Sequence, residues 1–150
     1  MGRVCRRRRI VVGVAESCTG GGLAAAITRL SGSAKWFDRG FVTYSNDAKR
    51  ELLGVSARSL EQHGAVSEEV AREMARGVLK RSPADVAVSI TGIAGPTGGS
   101  RSKPVGLVWF AWATRNGLVQ SRSFRFPGGR VEVRIQSVAV AIQGVIDLLR

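Results

Sequence analysis

Three short runs hold the side chains that could do chemistry. "AESCTGGG", Ala15 to Gly22, puts an acid, a serine, a cysteine and a threonine ahead of three glycines. "TYSNDAK", Thr43 to Lys49, offers a tyrosine and a lysine five residues apart. "TGIAGPTGG", Thr91 to Gly99, is a second glycine-rich run. Ser17 with Tyr44 and Lys49 would make a histidine-free nucleophile, because a desolvated neutral lysine or a tyrosinate can take a serine proton. On one continuous helix Tyr44 and Lys49 would diverge by about 140°. They converge only if Tyr44 ends a strand and Lys49 lies on the helix that follows. The same residues have plainer readings. Ser17 or Thr19 can cap a helix, Tyr44 can be an edge-strand aromatic, and Lys49 a surface charge. The glycines can form an anion-sized nest at a helix N-terminus.

Other chemistries find less support. The single histidine, His63, sits in "LEQHGAVSEE", which reads as a polar turn and is a poor member of a serine–histidine–acid triad. Cys5 and Cys18 are the two cysteines, too few for a disulfide framework and consistent with a reducing compartment. Cys18 follows Ser17 directly, so it points elsewhere, and no histidine stands near it to make a thiolate; it reads as packing. No His, Cys and carboxylate cluster has metal-ligand spacing, so neither metal nor cofactor is expected. Neither glycine run is a Walker A or a G-x-G-x-x-G sequence.

The formal net charge is +12, with 23 Lys and Arg against 11 Asp and Glu. Most of the excess is arginine scattered along the chain, and the one dense run, Arg6 to Arg9, reads as part of a solvated tail over residues 1–9. Without an aromatic-interleaved basic strand the charge does not read as a nucleic-acid surface. An anionic small molecule would also be drawn by a positive field. No apolar run reaches the roughly 18 residues of a membrane span, and no signal-peptide pattern follows the basic start. The expectation is a cytoplasmic protein.

The elements must then bring the three runs together. Ile10–Ala15 reads as a buried strand and Gly20–Leu30 as a helix. Phe37–Tyr44 reads as a strand, followed by a short helix, capped by Asn46 or Asp47, that Gly54 ends. The clearest helix is capped by Ser67, has Glu68 and Glu69 in its first turn, and buries Val70, Met74 and Val78. Asp85–Thr91 is a second buried strand, and Gly92–Pro104 a loop. "VGLVWFAWA" and "LVQSRSFRF" form a hairpin around Asn116-Gly117. A last helix opens at Gly128 and Gly129, with Ile135, Val138, Ile142, Val145 and Leu149 at helical spacing. This order predicts one α/β domain over residues 10–150, with helices on both faces of a mixed sheet. If the strands before the two glycine runs are parallel neighbours, the runs line one crevice beyond the strands' carboxyl ends.

Four blocks carry a resemblance across nearly the whole chain from Val11. They are "VAESCTGGGLAAAITRLSGSAKWFDRGFVTYSNDAKRELLGV", "HGAVSEEVAREMA", "VAVSITGIAGPTGGSRSKPVGLVWFA" and "FRFPGGRVEVR". Together they resemble the CinA C-terminal domain family, the nicotinamide-nucleotide amidases. The resemblance implies a three-layer α/β/α fold. It implies hydrolysis of nicotinamide mononucleotide to nicotinate mononucleotide and ammonia, a step of pyridine nucleotide salvage. It assigns the nucleophile to Ser17, with Tyr44 and Lys49 as partners, and implicates Thr91, with Gly92 and Gly95 of its block, in substrate binding. Gly20, Gly21 and Gly22 would admit the substrate closely, and N–H groups after Ser17 would face an oxyanion. Arg130 falls on the basic residue of the family's FPGDR block, but Gly129 replaces its acid, which would leave the arginine less firmly held. Glu16 could orient Lys49 or the carboxamide, or be structural. Family members usually begin with a helix that "MGRVCRRRR" does not obviously supply, and longer members carry a molybdopterin-binding-like domain with no counterpart here. The family further implies a homo-oligomer and a small nucleotide partner. A non-catalytic nucleotide-binding regulatory module of the competence/damage-inducible type is the alternative.

Overall fold

The β-branched, apolar run after Ile10 forms β1 (Val12–Glu16), buried along its whole length. In the computed structural model, which describes residues 1–150, β1 is the second strand of a five-stranded sheet ordered β2-β1-β3-β4-β5. It pairs in parallel with β2 (Phe37–Val42) on one side and β3 (Val86–Gly92) on the other. Glu16 at its end is level with both Val42 and Ile90. The carboxyl ends of all three parallel strands therefore finish side by side. The chain leaves β1 for β2 in one direction while β3 lies in the other, the switch point at which open α/β sheets form ligand crevices. β4 (Leu107–Thr114) and β5 (Val119–Arg125) complete the sheet as an antiparallel hairpin whose turn Gly117 makes at φ 100°.

Helices cover both faces, giving the expected three layers in a single α/β domain. One face carries α2 (Gly22–Thr28) and α6 (Arg130–Leu148) over a core that includes Val12, Val14, Leu23, Ile27, Phe110 and Trp112. The other carries α5 (Glu68–Lys80), which buries Val70, Met74 and Val78 as expected and is capped by the Ser67 hydroxyl. Packed on α5 are α3 (Asn46–Leu53) and α4 (Ala57–His63). Gly77 brings α3 and α5 together: a Cβ there would collide with the Leu53 carbonyl oxygen.

Several elements differ from the sequence reading. Residues 1–9 are not a solvated tail: Gly2–Arg8 is a helix, α1, with Cys5 buried in the core and Gly2 against the Trp36 ring. The arginines hid it, because apolar anchors are few in so short a helix. The segment before His63 is α4 rather than a turn, capped by Ser56. Ser45, not Asn46 or Asp47, caps α3. On α6 the sheet-facing residues are Val133, Ser137, Ala141 and Val145, whereas Ile135 is 64% exposed. The cause is Trp112 on β4. Its ring lies against Gly144 and its indole N–H donates to the Ala141 carbonyl, so the facing side of the helix must be small.

Candidate active site

Ser17 is the first residue past β1, and its N–H donates to the Ile90 carbonyl on neighbouring β3. Lys49 sits on α3, reached from β2 through Thr43 and Tyr44. Its side chain is 1% exposed, one of the largest fully buried groups in the protein. Lys49 Nζ lies 3.1 Å from Ser17 Oγ and donates to the Thr43 carbonyl at 2.9 Å. No carboxylate forms an ion pair with it. Burial pushes the lysine's pKa below its ordinary value, since desolvation penalises the ammonium.

Both groups line a cavity of about 260 Å³. Its walls include Cys18 from the first turn, Tyr44 and Asn46 from the β2–α3 link, and Ala65 and Val66 from the α4–α5 link. Thr91, Gly92, Gly95, Thr97 and Gly98 follow from the end of β3 and its loop, and Arg130 from the start of α6. The Thr91 hydroxyl is already engaged, donating to the Ala65 carbonyl at 2.8 Å. It braces one wall against another rather than offering itself freely to the cavity.

Tyr44 does not converge on the serine and lysine as expected. Its ring is 60% exposed at the cavity mouth, and its hydroxyl accepts from Arg130 Nη2 at 2.7 Å. Arg130 Nη1 donates to the Gly95 carbonyl at 2.9 Å. With Gly129 where an acid was expected, the guanidinium is held by a phenol and a backbone carbonyl instead. A neutral holder leaves its positive charge uncompensated and directed to the mouth.

The glycine nest is the largest departure. Glu16, 1% exposed, turns its carboxylate into the N-terminus of α2. Oε2 accepts from the Thr19 hydroxyl (2.6 Å), the Gly21 N–H (3.1 Å) and the Leu23 N–H (3.0 Å), and Oε1 from the Ala24 N–H (2.8 Å). The N–H groups of Gly20 and Gly22 donate to the Ser17 and Thr19 carbonyls. Gly20 and Gly21 do not line the cavity. The helix is capped by Glu16, neither by Ser17 nor directly by Thr19, and the nest is already filled by the protein's own anion. A buried acid just before a glycine turn was the signal available in the sequence. Within the turn only the N–H groups of Cys18 and Thr19 have no acceptor in the protein.

Cys18 behaves as a packing residue. Buried in the core, its thiol is pushed up to about 11, chiefly by desolvation, so it stays protonated at neutral pH. His63 lies outside the cavity wall, its ring 3.7 Å from Glu69. Ala65, Val66 and Thr97 line the cavity without having been singled out in sequence, and Asn46, read there only as a helix cap, lines it too. Apart from Asn46, flanked by Tyr44 and Lys49, none carries a residue-type signal.

The family model of the CinA C-terminal domain matches residues 1–149. A protein of Enterobacter agglomerans named nicotinamide-nucleotide amidohydrolase PncC is 60% identical over 129 residues, covering 86% of this chain and 79% of that one. The protein of the same name in Escherichia coli K12 is 55% identical over 143 residues, or 95% of this chain and 87% of that one. Among solved structures, the competence/damage inducible protein CihA from Agrobacterium tumefaciens superposes with a TM-score of 0.94 at 47% identity. It covers 99% of this chain and 94% of the other.

Proposed function

The chain belongs to the CinA C-terminal domain family, and on that premise we propose that it is a nicotinamide-nucleotide amidohydrolase. Its reaction converts nicotinamide mononucleotide and water to nicotinate mononucleotide and ammonia. Relatives at 55–60% identity over most of the chain carry that name. The observation that carries the chemistry is a buried lysine, free of carboxylates, whose nitrogen is 3.1 Å from a serine oxygen.

In this reading neutral Lys49 takes the Ser17 proton as Oγ attacks the carboxamide carbon. The developing oxyanion is met by the N–H of Cys18, a residue of the cavity wall whose N–H has no acceptor in the protein. The Oγ–C bond forms, and the C–N bond breaks as Lys49 returns the proton to the departing nitrogen, which leaves as ammonia. Water then attacks the nicotinoyl ester with Lys49 as base, the proton passes back to Ser17, and the acid is released. A neutral amine can do this where an ammonium cannot, and burial shifts the lysine toward that neutral form. Arg130, its charge balanced by no acid, offers a site for the nucleotide phosphate at the mouth, with Tyr44 as its holder. Thr91, Gly92 and Gly95 form the wall beside the substrate.

Purified protein should release ammonia from nicotinamide mononucleotide. Ser17→Ala should lower kcat by about 10⁴-fold or more while a nucleotide still binds. Full turnover in Ser17→Ala would remove the serine mechanism. Nucleotide binding without any ammonia release from the wild type would favour the regulatory-module reading instead.

A further inference from the structure

Lys49 Nζ is incompletely accounted for. A neutral amine has two N–H groups and one lone pair, and an ammonium has three N–H groups. The lone pair, or the proton it takes, faces Ser17. One N–H is held by the Thr43 carbonyl. One N–H remains, and the protein gives it no acceptor. Thr43 itself is fully buried, and its hydroxyl Oγ1 is one of only two buried side-chain polar atoms without a hydrogen-bond partner. An orphaned donor and an orphaned hydroxyl thus occur at two residues already joined by a hydrogen bond. Buried polar groups are rarely left unmatched without a reason. Valine would fill the same space at the end of β2 without that penalty.

We propose that Thr43 is a positioning residue for the reaction, holding Lys49 Nζ with both of its oxygens. The carbonyl accepts one N–H in the resting protein, and the hydroxyl accepts the other as the ammonium forms. The third direction is then fixed on Ser17 Oγ and, after attack, on the departing nitrogen. The proposal rests on the reading of Lys49 as the base. None of the ionisable groups around Lys49 is placed to do the same. Glu16 is consumed in capping α2. Tyr44 and Arg130 hold each other at the mouth. From α5, Glu73 is bound to Ser56 and Ser59. Cys18, the one ionisable neighbour whose charge reaches Lys49, is a protonated thiol at neutral pH.

The test uses two readouts across pH: kcat/KM for nicotinamide mononucleotide, and the rate at which a fluorophosphonate probe labels Ser17. The second does not depend on which substrate the protein takes. Thr43→Val removes the hydroxyl at nearly constant shape. Without it the ammonium is less stabilised, so the acidic limb of both profiles should move to lower pH by about one unit. The maximal rate should fall about tenfold or more. Thr43→Ser, which keeps the hydroxyl, should recover the limb and most of the rate. If valine does not fold, Thr43→Ala carries the same comparison. A limb unmoved in a folded Thr43→Val or Thr43→Ala protein, or a serine variant as damaged as the valine one, overturns the proposal. Wild-type protein that labels at Ser17 but leaves nicotinamide mononucleotide intact refutes the substrate alone, and the labelling limb still decides on Thr43. Wild type that does neither refutes both.

Discussion

The two glycine-rich runs look alike in sequence and do opposite things in the fold. Each follows a buried parallel strand, and the two strands are neighbours. In the first, Ser17 to Gly22, the N–H groups of Gly21, and of Leu23 and Ala24 just beyond the run, are turned inward onto the Glu16 carboxylate. In the second, from Gly92, there is no acid to consume the N–H groups, and the backbone forms a cavity wall whose Gly95 carbonyl holds Arg130. Glycine after a strand says only that a backbone can be approached closely. What approaches it is decided by whether the chain supplies its own anion. The first run is a pedestal beneath Ser17, and the second is an open wall of the cavity.

The contrast can be tested hardest where the pedestal meets Lys49, the proposed base. Lys49→Arg keeps the charge but cannot accept a proton. It should lose roughly 10³-fold or more in kcat, nearly as much as Lys49→Met, with KM changed little. An active arginine variant would take the base role from lysine. The same pair reports on stability. The folded pKa of Lys49 lies below its unfolded value, so between those values the unfolded chain holds a proton that the folded one does not. Wild-type stability should therefore rise with pH through that window and be fully penalised below it. Lys49→Met should remove this slope and melt higher at neutral pH. Parallel melting curves against pH for the two proteins would refute the burial argument.

Glu16→Gln breaks the pedestal from within, since an amide nitrogen brings donors to a place filled with donors. A loss of about 3 kcal/mol in denaturant unfolding is expected, with kcat falling as Ser17 loosens. Retention of full stability would mean that the carboxylate is not what holds the turn. Tyr44→Phe acts on the other region. Arg130 loses its phenol, so KM should rise about tenfold with kcat nearly constant; a fall confined to kcat would return Tyr44 to the proton-transfer machinery. The smallest effect is expected for Cys18→Ala. It should keep kcat within a few-fold of wild type and cost about 1–2 kcal/mol as a packing loss. Disappearance of activity would make the thiol the nucleophile.

Much of this was legible in the chain because strands and helices announce themselves by burial pattern. β1, β3, α5 and the β4–β5 hairpin were each marked by apolar periodicity or turn glycine. The placing of Tyr44 after a strand and of Lys49 on the helix that follows was legible too, but neither the Ser45 cap nor the turn of Tyr44 away toward Arg130 was. What was hidden depends on partners distant in sequence. Nothing local says that Ser137 and Ala141 face the sheet, because the reason is the Trp112 ring arriving from β4. Nothing at Tyr44 names Arg130, 86 residues away, as its partner. The role of Glu16 lay between these cases. Its acid and the glycines were adjacent in the sequence, but the choice between an internal and an external anion needed the helix's direction.

The position of β2 at the edge of the sheet has a bearing on how the protein fails when heated. β2 is bonded to β1 alone, most of its residues are exposed, and it leads directly into the helix that carries Lys49. Ser17 directly follows β1, a strand flanked on both sides. Local opening that peels β2 and α3 from the body would separate Lys49 from Ser17 while the rest of the sheet stays closed. Amide hydrogens of β2 should then exchange faster than those of β3, and activity should vanish on warming before the far-ultraviolet signal of the fold is lost.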